Sequence, residues 1–365
     1  MEENYRVNGT MRLSEIIKLP WKACVSTRNL LYRQIGKPLP IYNFNFEATR
    51  LCNGKCIYCN IWKSKPEKEI TADELREGLK PLSLFKSVKS IGITGGEAFL
   101  RNDLVELVQA LKEICPGAGF GFVSNGLQPE LVLRKMLEIR KIVDASIGIS
   151  IDGFPEDDAK QRGNSQHYEL AWRTVDLLRS EKIPFEIGSV ITPFNLPSAK
   201  KFREYCWERT SVKTGLMIVN VSSHFYSNDS NENMKDLALT EKDIPLFKEL
   251  FLGDNNSWNY YYAKYVENPS QVIPCFSGFS SFFLNSYGIV YPCIHLNMPL
   301  GSIRAKHFGD LWLGEIPRLT RYHIRQKLCH CYTACELGNS FNSNIFPRAR
   351  ARALLLVKLL GNTKR

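Results

Sequence analysis

Cys52, Cys56 and Cys59 stand in one short run, Leu51-Cys-Asn-Gly-Lys-Cys-Ile-Tyr-Cys-Asn60. Three thiolates so spaced can hold three irons of a [4Fe–4S] cluster and leave the fourth iron open to a small chelating molecule. A structural zinc would call for four closed ligands, and the run offers three cysteines. A second group lies far downstream. Cys275 and Cys293 flank Ser281-Phe-Phe-Leu-Asn-Ser-Tyr-Gly-Ile-Val-Tyr-Pro-Cys293, whose Gly288 suits a hairpin turn, and Cys329, Cys331 and Cys335 follow. Five cysteines are thus available to a site that needs four.

The elements that must position the first group alternate strand-like and helix-like patterns. Asn43–Thr49 reads as a strand that ends at the cysteine loop. Thr71-Ala-Asp-Glu74 is a capping box that opens a helix. Strands follow at Val88–Thr94, Gly119–Ser124, Asp144–Ile151, Pro184–Ile191 and Val212–Asn220. Helices are predicted at Asn102–Ile114, Gln128–Arg140, Ser165–Glu181 and Leu196–Trp207. Six strand–helix units imply a parallel sheet with right-handed crossovers. The cysteine loop follows the first strand, Thr94-Gly-Gly-Glu97 the second, Ser124-Asn-Gly126 the third and Asp152-Gly153 the fourth. Chemistry in such folds collects at the C-terminal ends of the strands.

The cysteine run resembles the CxxxCxxC motif of the radical S-adenosylmethionine (radical SAM) superfamily. Thr94-Gly-Gly-Glu97 is similar to that family's GGE motif, and Ser150-Ile-Asp-Gly153 to its ribose-contacting strand end. The downstream cysteines resemble a SPASM or twitch auxiliary-cluster domain. Together these cover about residues 41–340. The resemblance implies an α/β fold: a partial (β/α)6 TIM-like barrel followed by a small C-terminal SPASM/twitch domain. The expected division is a basic N-terminal extension (1–40), barrel (41–225), linker (226–270), auxiliary domain (271–340) and basic C-terminal tail (341–365).

The resemblance also implies roles. Cys52, Cys56 and Cys59 would hold the S-adenosylmethionine-binding [4Fe–4S] cluster. Gly95 and Gly96 would let backbone pass close to a ligand where a Cβ would clash, with Glu97 fixing the turn and Asn125 at the next strand end. Ser150 and Asp152 would contact the ribose, Arg162 would pair with the methionyl carboxylate, and Tyr58 would pack near adenine. The implied reaction is reductive cleavage of S-adenosylmethionine to methionine and a 5′-deoxyadenosyl radical, which removes hydrogen from an unactivated carbon. The protein's share is positioning and exclusion of water and oxygen. Cys275, Cys293, Cys331 and Cys335 are the expected ligands of one auxiliary [4Fe–4S] cluster. Cys329 is the spare, His295 and His330 are other available ligands, and structural zinc is the alternative occupant. A full SPASM domain carries cysteines for two clusters, so this one reads as a one-cluster version.

A chain of 365 residues accommodates such a barrel and appendage, and its 44% hydrophobic and 23% charged content is that of a globular protein. No run approaches the ~20 apolar residues of a spanning helix, and Met1-Glu-Glu-Asn-Tyr5 opens no signal peptide. Eight of eleven cysteines fall in the two groups, which points to a reducing, cytoplasmic setting rather than to disulfides. The net charge of +11 is concentrated at the ends: +4 in residues 1–40, +6 in 346–365, and +1 between. Leu13–Val25 and Pro347–Leu360 mix basic and apolar residues, as segments lying on an anionic membrane do. No basic–aromatic stripe accompanies the charge, so no nucleic-acid partner is expected. A flavodoxin or ferredoxin would supply the electron. For the substrate, the basic apolar ends favour a lipid-like or membrane-associated molecule. A sugar or aminocyclitol is one alternative. A ribosomal peptide is another, although the first 40 residues leave little room for a leader-binding domain. A metal-binding scaffold without catalysis is the non-enzyme alternative, opposed by the intact motifs.

Overall fold

The structure, a computed structural model, describes residues 18–65, 67–232, 234–252 and 257–362, with the backbone alone for residues 252, 334, 335 and 355–362. Six strands run parallel in chain order: β1 (Asn43–Thr49), β2 (Ser90–Gly95), β3 (Gly119–Ser124), β4 (Ala145–Ser150), β5 (Phe185–Ile191) and β6 (Thr214–Ile218). Their neighbours in the sheet are their neighbours in sequence, as connections through outer helices require. Buried residues of β4 (Ala145, Ile147, Ile149) alternate with half-buried ones, the period-2 pattern of a pleated strand. β1 is buried along almost its whole length.

The helices are α1 (Leu19–Gln34), α2 (Ala72–Gly78), α3 (Leu104–Ile114), α4 (Pro129–Arg140), α5 (Pro155–Arg162), α6 (His167–Ser180), α7 (Ala199–Thr210), α8 (Met234–Leu237), α9 (Ile244–Leu252), α10 (Ser257–Glu267), α11 (Phe308–Leu313), α12 (Glu315–Arg325), α13 (Ala334–Ser343) and α14 (Phe346–Asn362). The capping box at Thr71 is formed: its side chain accepts from the Glu74 N–H while Glu74 reaches back to the Thr71 N–H. α3 buries Leu104, Leu107, Val108 and Leu111 on one face, the helical spacing that seals a sheet. The single helix expected over 165–181 is preceded by a separate one, α5. Its acidic first turn, Glu156-Asp157-Asp158, and its C-terminal Gly163 in the left-handed conformation (φ +66°) are regular helix-end signals.

The hairpin expected around Gly288 forms from β7 (Ser281–Leu284) and β8 (Ile289–Tyr291), with β9 (Gly301–Ser302) beyond. It does not stand apart from the barrel. β7 pairs parallel with β1, so one nine-stranded sheet runs β6-β5-β4-β3-β2-β1-β7-β8-β9. Phe44 and Phe282, directly opposed across that seam, stack at 4.6 Å. Offset aromatic pairs of this kind add about 1 kcal/mol beyond their burial. α14 likewise is no detached tail: Ala351 is buried, and the Tyr261 hydroxyl of α10 donates to the Pro347 carbonyl (3.2 Å). Leu13–Ile17 of the N-terminal segment and the side chains beyond Leu354 lie outside the described residues.

Candidate active site

β1 gains a residue against β2 between Glu47 and Thr49, and such a bulge re-aims the chain that follows. The strand turns there into the cysteine loop. Gly95 (φ +129°) and Gly96 pack against that turn. A Cβ on Gly95 would lie 2.2 Å from the Thr49 carbonyl oxygen, and one on Gly96 would lie 2.1 Å from that of Leu51. The Gly96 and Glu97 N–H groups donate to those same carbonyls, both at 2.7 Å. The glycines expected to make room for a ligand therefore make room, in the first instance, for the cysteine loop's own backbone.

Glu97 is buried and ties strand ends together. One oxygen accepts from the Asn125 N–H (2.8 Å) and the Ser124 hydroxyl (3.1 Å), the other from the Phe99 N–H. Burial pushes its carboxyl up to about 7, against these three donors. Asn125 then reaches the loop itself, donating from Nδ2 to the Asn53 side chain at 2.7 Å.

The loop is gripped from a second side by β4 and α5. The Ile57 N–H donates to the Gln161 carbonyl (3.0 Å), and a Cβ on Gly163 would lie 2.6 Å from the Lys55 carbonyl. Asp152 is fully buried with both oxygens engaged. The Tyr58 hydroxyl donates to Oδ2 (2.6 Å), Arg162 Nη2 and the Val190 N–H donate to Oδ1 (2.9 and 2.8 Å), and Arg162 Nε ion-pairs at 2.7 Å. In this arrangement Asp152 holds Arg162 and Tyr58 in place. Tyr58 is likewise buried, its hydroxyl spent on Asp152. Arg162 places Nη1 3.7 Å from Cys56 Sγ, a donor aimed at the sulfur that a cluster would use. Ser150, half-buried, ends β4 one turn away.

A third grip comes from residues read as linker. Asn228 is fully buried and donates to the Tyr58 carbonyl (2.7 Å), Asn231 donates to that of Ile57 (3.1 Å), and the Asn60 N–H donates to Tyr226 O (2.9 Å). Arg50 crosses to the same segment, bonding the carbonyls of His224 and Phe225 and the Ser227 hydroxyl, and pairs with Glu47 at 2.8 Å. Their only sequence signal is an excess of asparagine in a polar stretch. On this side Phe225, Phe283, Tyr291 and Ile294 form an apolar wall against Cys52 and Cys59.

The chemistry of the donor set fits a cluster. Burial pushes Cys52 up to about 11, Cys59 up to about 12, and Cys56 up as well. Thiols so placed ionise only beside a strong positive charge, as iron supplies. Among the described residues no three His, Cys, Asp or Glu side chains gather around one point as a single ion would need. Thiolates on three irons stand further apart than thiolates on one ion.

The second group converges between β7–β8 and α12–α13. Cys275 and Cys331 lie within electrostatic reach of each other and of both Cys293 and Cys329, and burial raises all four thiols. Cys335 is the first-turn residue of α13 whose side chain lies outside the described set. Cys329, expected to be a spare, shares an apolar cluster with Cys275. Two residues here went unread. Glu336 is fully buried, within reach of Cys275, Cys293 and Cys331, and accepts from the Ser277 hydroxyl and the Ile294 N–H. Arg33 of α1 donates from Nε to the Cys275 carbonyl (2.8 Å). His295 Nδ1 donates to the Val221 carbonyl (3.4 Å), and His330 pairs with the Tyr265 hydroxyl (3.3 Å).

The Radical SAM superfamily profile matches residues 46–206, and an iron–sulfur cluster-binding (SPASM) domain profile matches 275–336. The sporulation killing factor maturation protein SkfB of Bacillus subtilis (strain 168) is 24% identical over 306 residues, covering 82% of this chain and 71% of that protein. The Fe-coproporphyrin III synthase of Methanosarcina barkeri (strain Fusaro / DSM 804) is 27% identical over 315 residues, covering 78% and 75%. Among solved structures, anSMEcpe with bound AdoMet superposes with a TM-score of 0.61 at 17% identity, over 88% of this chain and all of that one.

Proposed function

The chain is a radical SAM enzyme with a SPASM domain, and from that premise we propose that it cleaves S-adenosylmethionine reductively and abstracts hydrogen from an unactivated carbon of a lipid-like or membrane-associated substrate. The cofactors that go with the family are the S-adenosylmethionine-binding [4Fe–4S] cluster, an auxiliary iron–sulfur cluster and S-adenosylmethionine itself. The bound cofactors supply a 5′-deoxyadenosyl radical, and this chain supplies placement. Cys52, Cys56 and Cys59 hold the first cluster, in a loop that Glu97–Asn125, Gln161–Gly163 and Asn228–Asn231 fix from three sides. Arg162, oriented by Asp152, directs its free edge toward Cys56 and the methionyl end of the ligand. Gly95, Gly96 and Ser150 line the strand ends beside it. Cys275, Cys293, Cys331 and Cys335 hold the auxiliary cluster, with Cys329 adjacent. Radical SAM enzymes take their electron from a reductant such as a flavodoxin or ferredoxin, and the same is proposed here.

The observation that carries the substrate reading is the apolar wall of Phe225, Phe283, Tyr291 and Ile294 packed against Cys52 and Cys59. Apolar packing against the cysteine loop keeps water from it and suits an apolar chain as its neighbour. A second reading, a peptide substrate, is favoured by the likeness to a maturation protein along 82% of this chain.

The test is 5′-deoxyadenosine formation by the anaerobically reconstituted, dithionite-reduced enzyme, with a total lipid extract compared against aqueous metabolite and peptide fractions. Stimulation by the lipid fraction alone is expected. Stimulation by peptides or aqueous metabolites alone would move the substrate to those classes. No cleavage by fully iron-loaded protein would leave a metal-binding scaffold.

A further inference from the structure

α1 turns polar side chains inward, and both α1 and α12 leave apolar side chains outward. α1 buries Ser26, Asn29 and Arg33 and exposes Trp21 (70%), Leu31 (61%) and Ile35 (61%), which follow one another along one side of the helix. α12 buries Pro317, Thr320, Arg321 and Ile324 and exposes Ile316 (54%), Leu319 (51%) and Tyr322 (52%), three residues apart. The inward polar residues have a clear task. Asn29 donates to the Ser343 carbonyl (2.9 Å), and Ser26 accepts from the Ile345 N–H (3.1 Å). Arg33 donates to the Cys275 carbonyl, and Arg321 donates to those of Gly278 and Trp312, both at 2.7 Å. These two helices close the loop ends around the auxiliary cysteines with hydrogen bonds, and their apolar stripes are left facing outward.

The two helices come together at their C-terminal ends. Arg33 Nη2 reaches the Ile324 carbonyl at 3.4 Å, and Arg325 donates to that of Gln34. Exposed Leu328 follows α12. The surrounding charge is of one sign. Residues 18–40 carry Lys18, Lys22, Arg28, Arg33 and Lys37 and no Asp or Glu, and in 315–328 the sole acid, Glu315, is paired with Arg318 (3.4 Å).

We propose that the outward face of α1 and α12 docks on an anionic lipid bilayer, with the apolar stripes entering the headgroup boundary and the flanking cations meeting lipid phosphates. Interfacial helices have this composition: aromatic and aliphatic residues on one side, Lys and Arg beside them, little acid. Charge decides among occupants. A second copy docked through the same face would set Lys18, Lys22 and Arg28 against their own kind, which like-charge juxtaposition penalises. A neutral apolar partner would leave the cations unused. Among the described residues no helix is long and apolar enough to cross a membrane, so the contact is peripheral. It belongs to α1 and α12 rather than to the C-terminal basic helix, whose Ala351 packs inward. The proposal stands whether or not the substrate is lipid-like.

The test is co-sedimentation of the anaerobic holoenzyme with phosphatidylcholine vesicles containing about one-third phosphatidylglycerol, against pure phosphatidylcholine. Binding to the anionic vesicles, weakened by salt, is expected. Paired substitutions Leu31→Ser with Ile35→Ser, or Ile316→Ser with Leu319→Ser, should cut partitioning by about tenfold or more. Lys18→Glu with Lys22→Glu should cut it by about fivefold per charge removed. Unchanged iron content and circular dichroism would establish that these surface variants fold. No binding to anionic vesicles would overturn the proposal, as would binding that survives both apolar pairs. A dimer in light scattering that the apolar pairs dissociate would assign the face to a second copy and also overturn it.

Discussion

The two cysteine sites are built on opposite plans. The first takes its three cysteines from eight consecutive residues, Cys52 to Cys59, and its supports from the ends of β2, β3 and β4, from α5, and from Asn228 and Asn231. The second draws on residues 275–336 and borrows Arg33 from α1, 242 positions away in sequence from the carbonyl it holds. In the first, specificity of geometry comes from close backbone approach at Gly95, Gly96 and Gly163 together with buried Glu97, Asp152 and Asn228. In the second it comes from buried polar side chains, Glu336 and Arg33, that bond loop backbone around the cysteines. The difference teaches that one site is framed around a single contiguous run at the strand ends, while the other is gathered from segments far apart in sequence.

The largest effect follows from removing a thiolate at each site. Cys52→Ala should abolish 5′-deoxyadenosine formation and take roughly four irons with it. Cys293→Ala should also lose roughly four irons, yet retain S-adenosylmethionine cleavage without substrate turnover, because the three-sided grip on the first loop does not pass through Cys293. Iron analysis and 5′-deoxyadenosine assays on both variants check this. Equal loss of cleavage in both would break the comparison, making the second site part of the first.

Glycines sharpen the same contrast at the level of stability. Gly95→Ala would drive a Cβ to 2.2 Å from a backbone oxygen at a φ of +129°, and neither partner is free to move. The expected loss is about 3 kcal/mol or more. Gly288, at the hairpin turn of the second site, has φ +83°, but its Cβ would meet the Ile70 side chain at 3.1 Å, and a side-chain end can give way. Gly288→Ala should cost about 1 kcal/mol. Urea titration of the two variants measures both.

This contrast also governs what the sequence disclosed. The local site was legible because its signals are contiguous: a cysteine run, Gly-Gly-Glu and a capping box each sit beside the strand they serve, and β1 and β3 have the expected limits, Asn43–Thr49 and Gly119–Ser124. What lay hidden was pairing between distant segments. Nothing in Ser281–Leu284 announces that it will add to the edge of β1. Asn228 and Asn231 look like any asparagines of a polar connection until the fold brings them to the carbonyls of Tyr58 and Ile57. Asp152 and Arg162 were recognised as site residues, but that they spend their charges on each other depends on α5, a helix that the sequence reading overlooked. The polar inward face of α1 was equally opaque, since its partners are backbone carbonyls of another segment.

Glu47 lies between the two regions, and its predicted effect is one of pH. Its carboxyl is fully buried at the seam. One oxygen meets Arg50, which reaches the segment gripping the first loop; the other accepts from the Ser286 N–H (3.1 Å) and hydroxyl (3.2 Å) beside the second site's hairpin. Burial, opposed by Arg50, raises it from 4.5 to about 7. A carboxyl raised on folding favours the folded state while protonated. Its contribution is therefore full below about pH 4.5 and is lost as pH climbs through about 7. Between pH 5.5 and pH 8 the loss should be about 2 kcal/mol in urea unfolding. Glu47→Gln keeps the shape without the proton, and its stability should fall by that much less over the same interval, the remaining slope belonging to the other buried carboxyls, Glu97 and Glu336. If the two proteins showed the same pH slope, the seam would not couple the regions through Glu47, and the two sites would be joined by strand pairing and stacked phenylalanines alone.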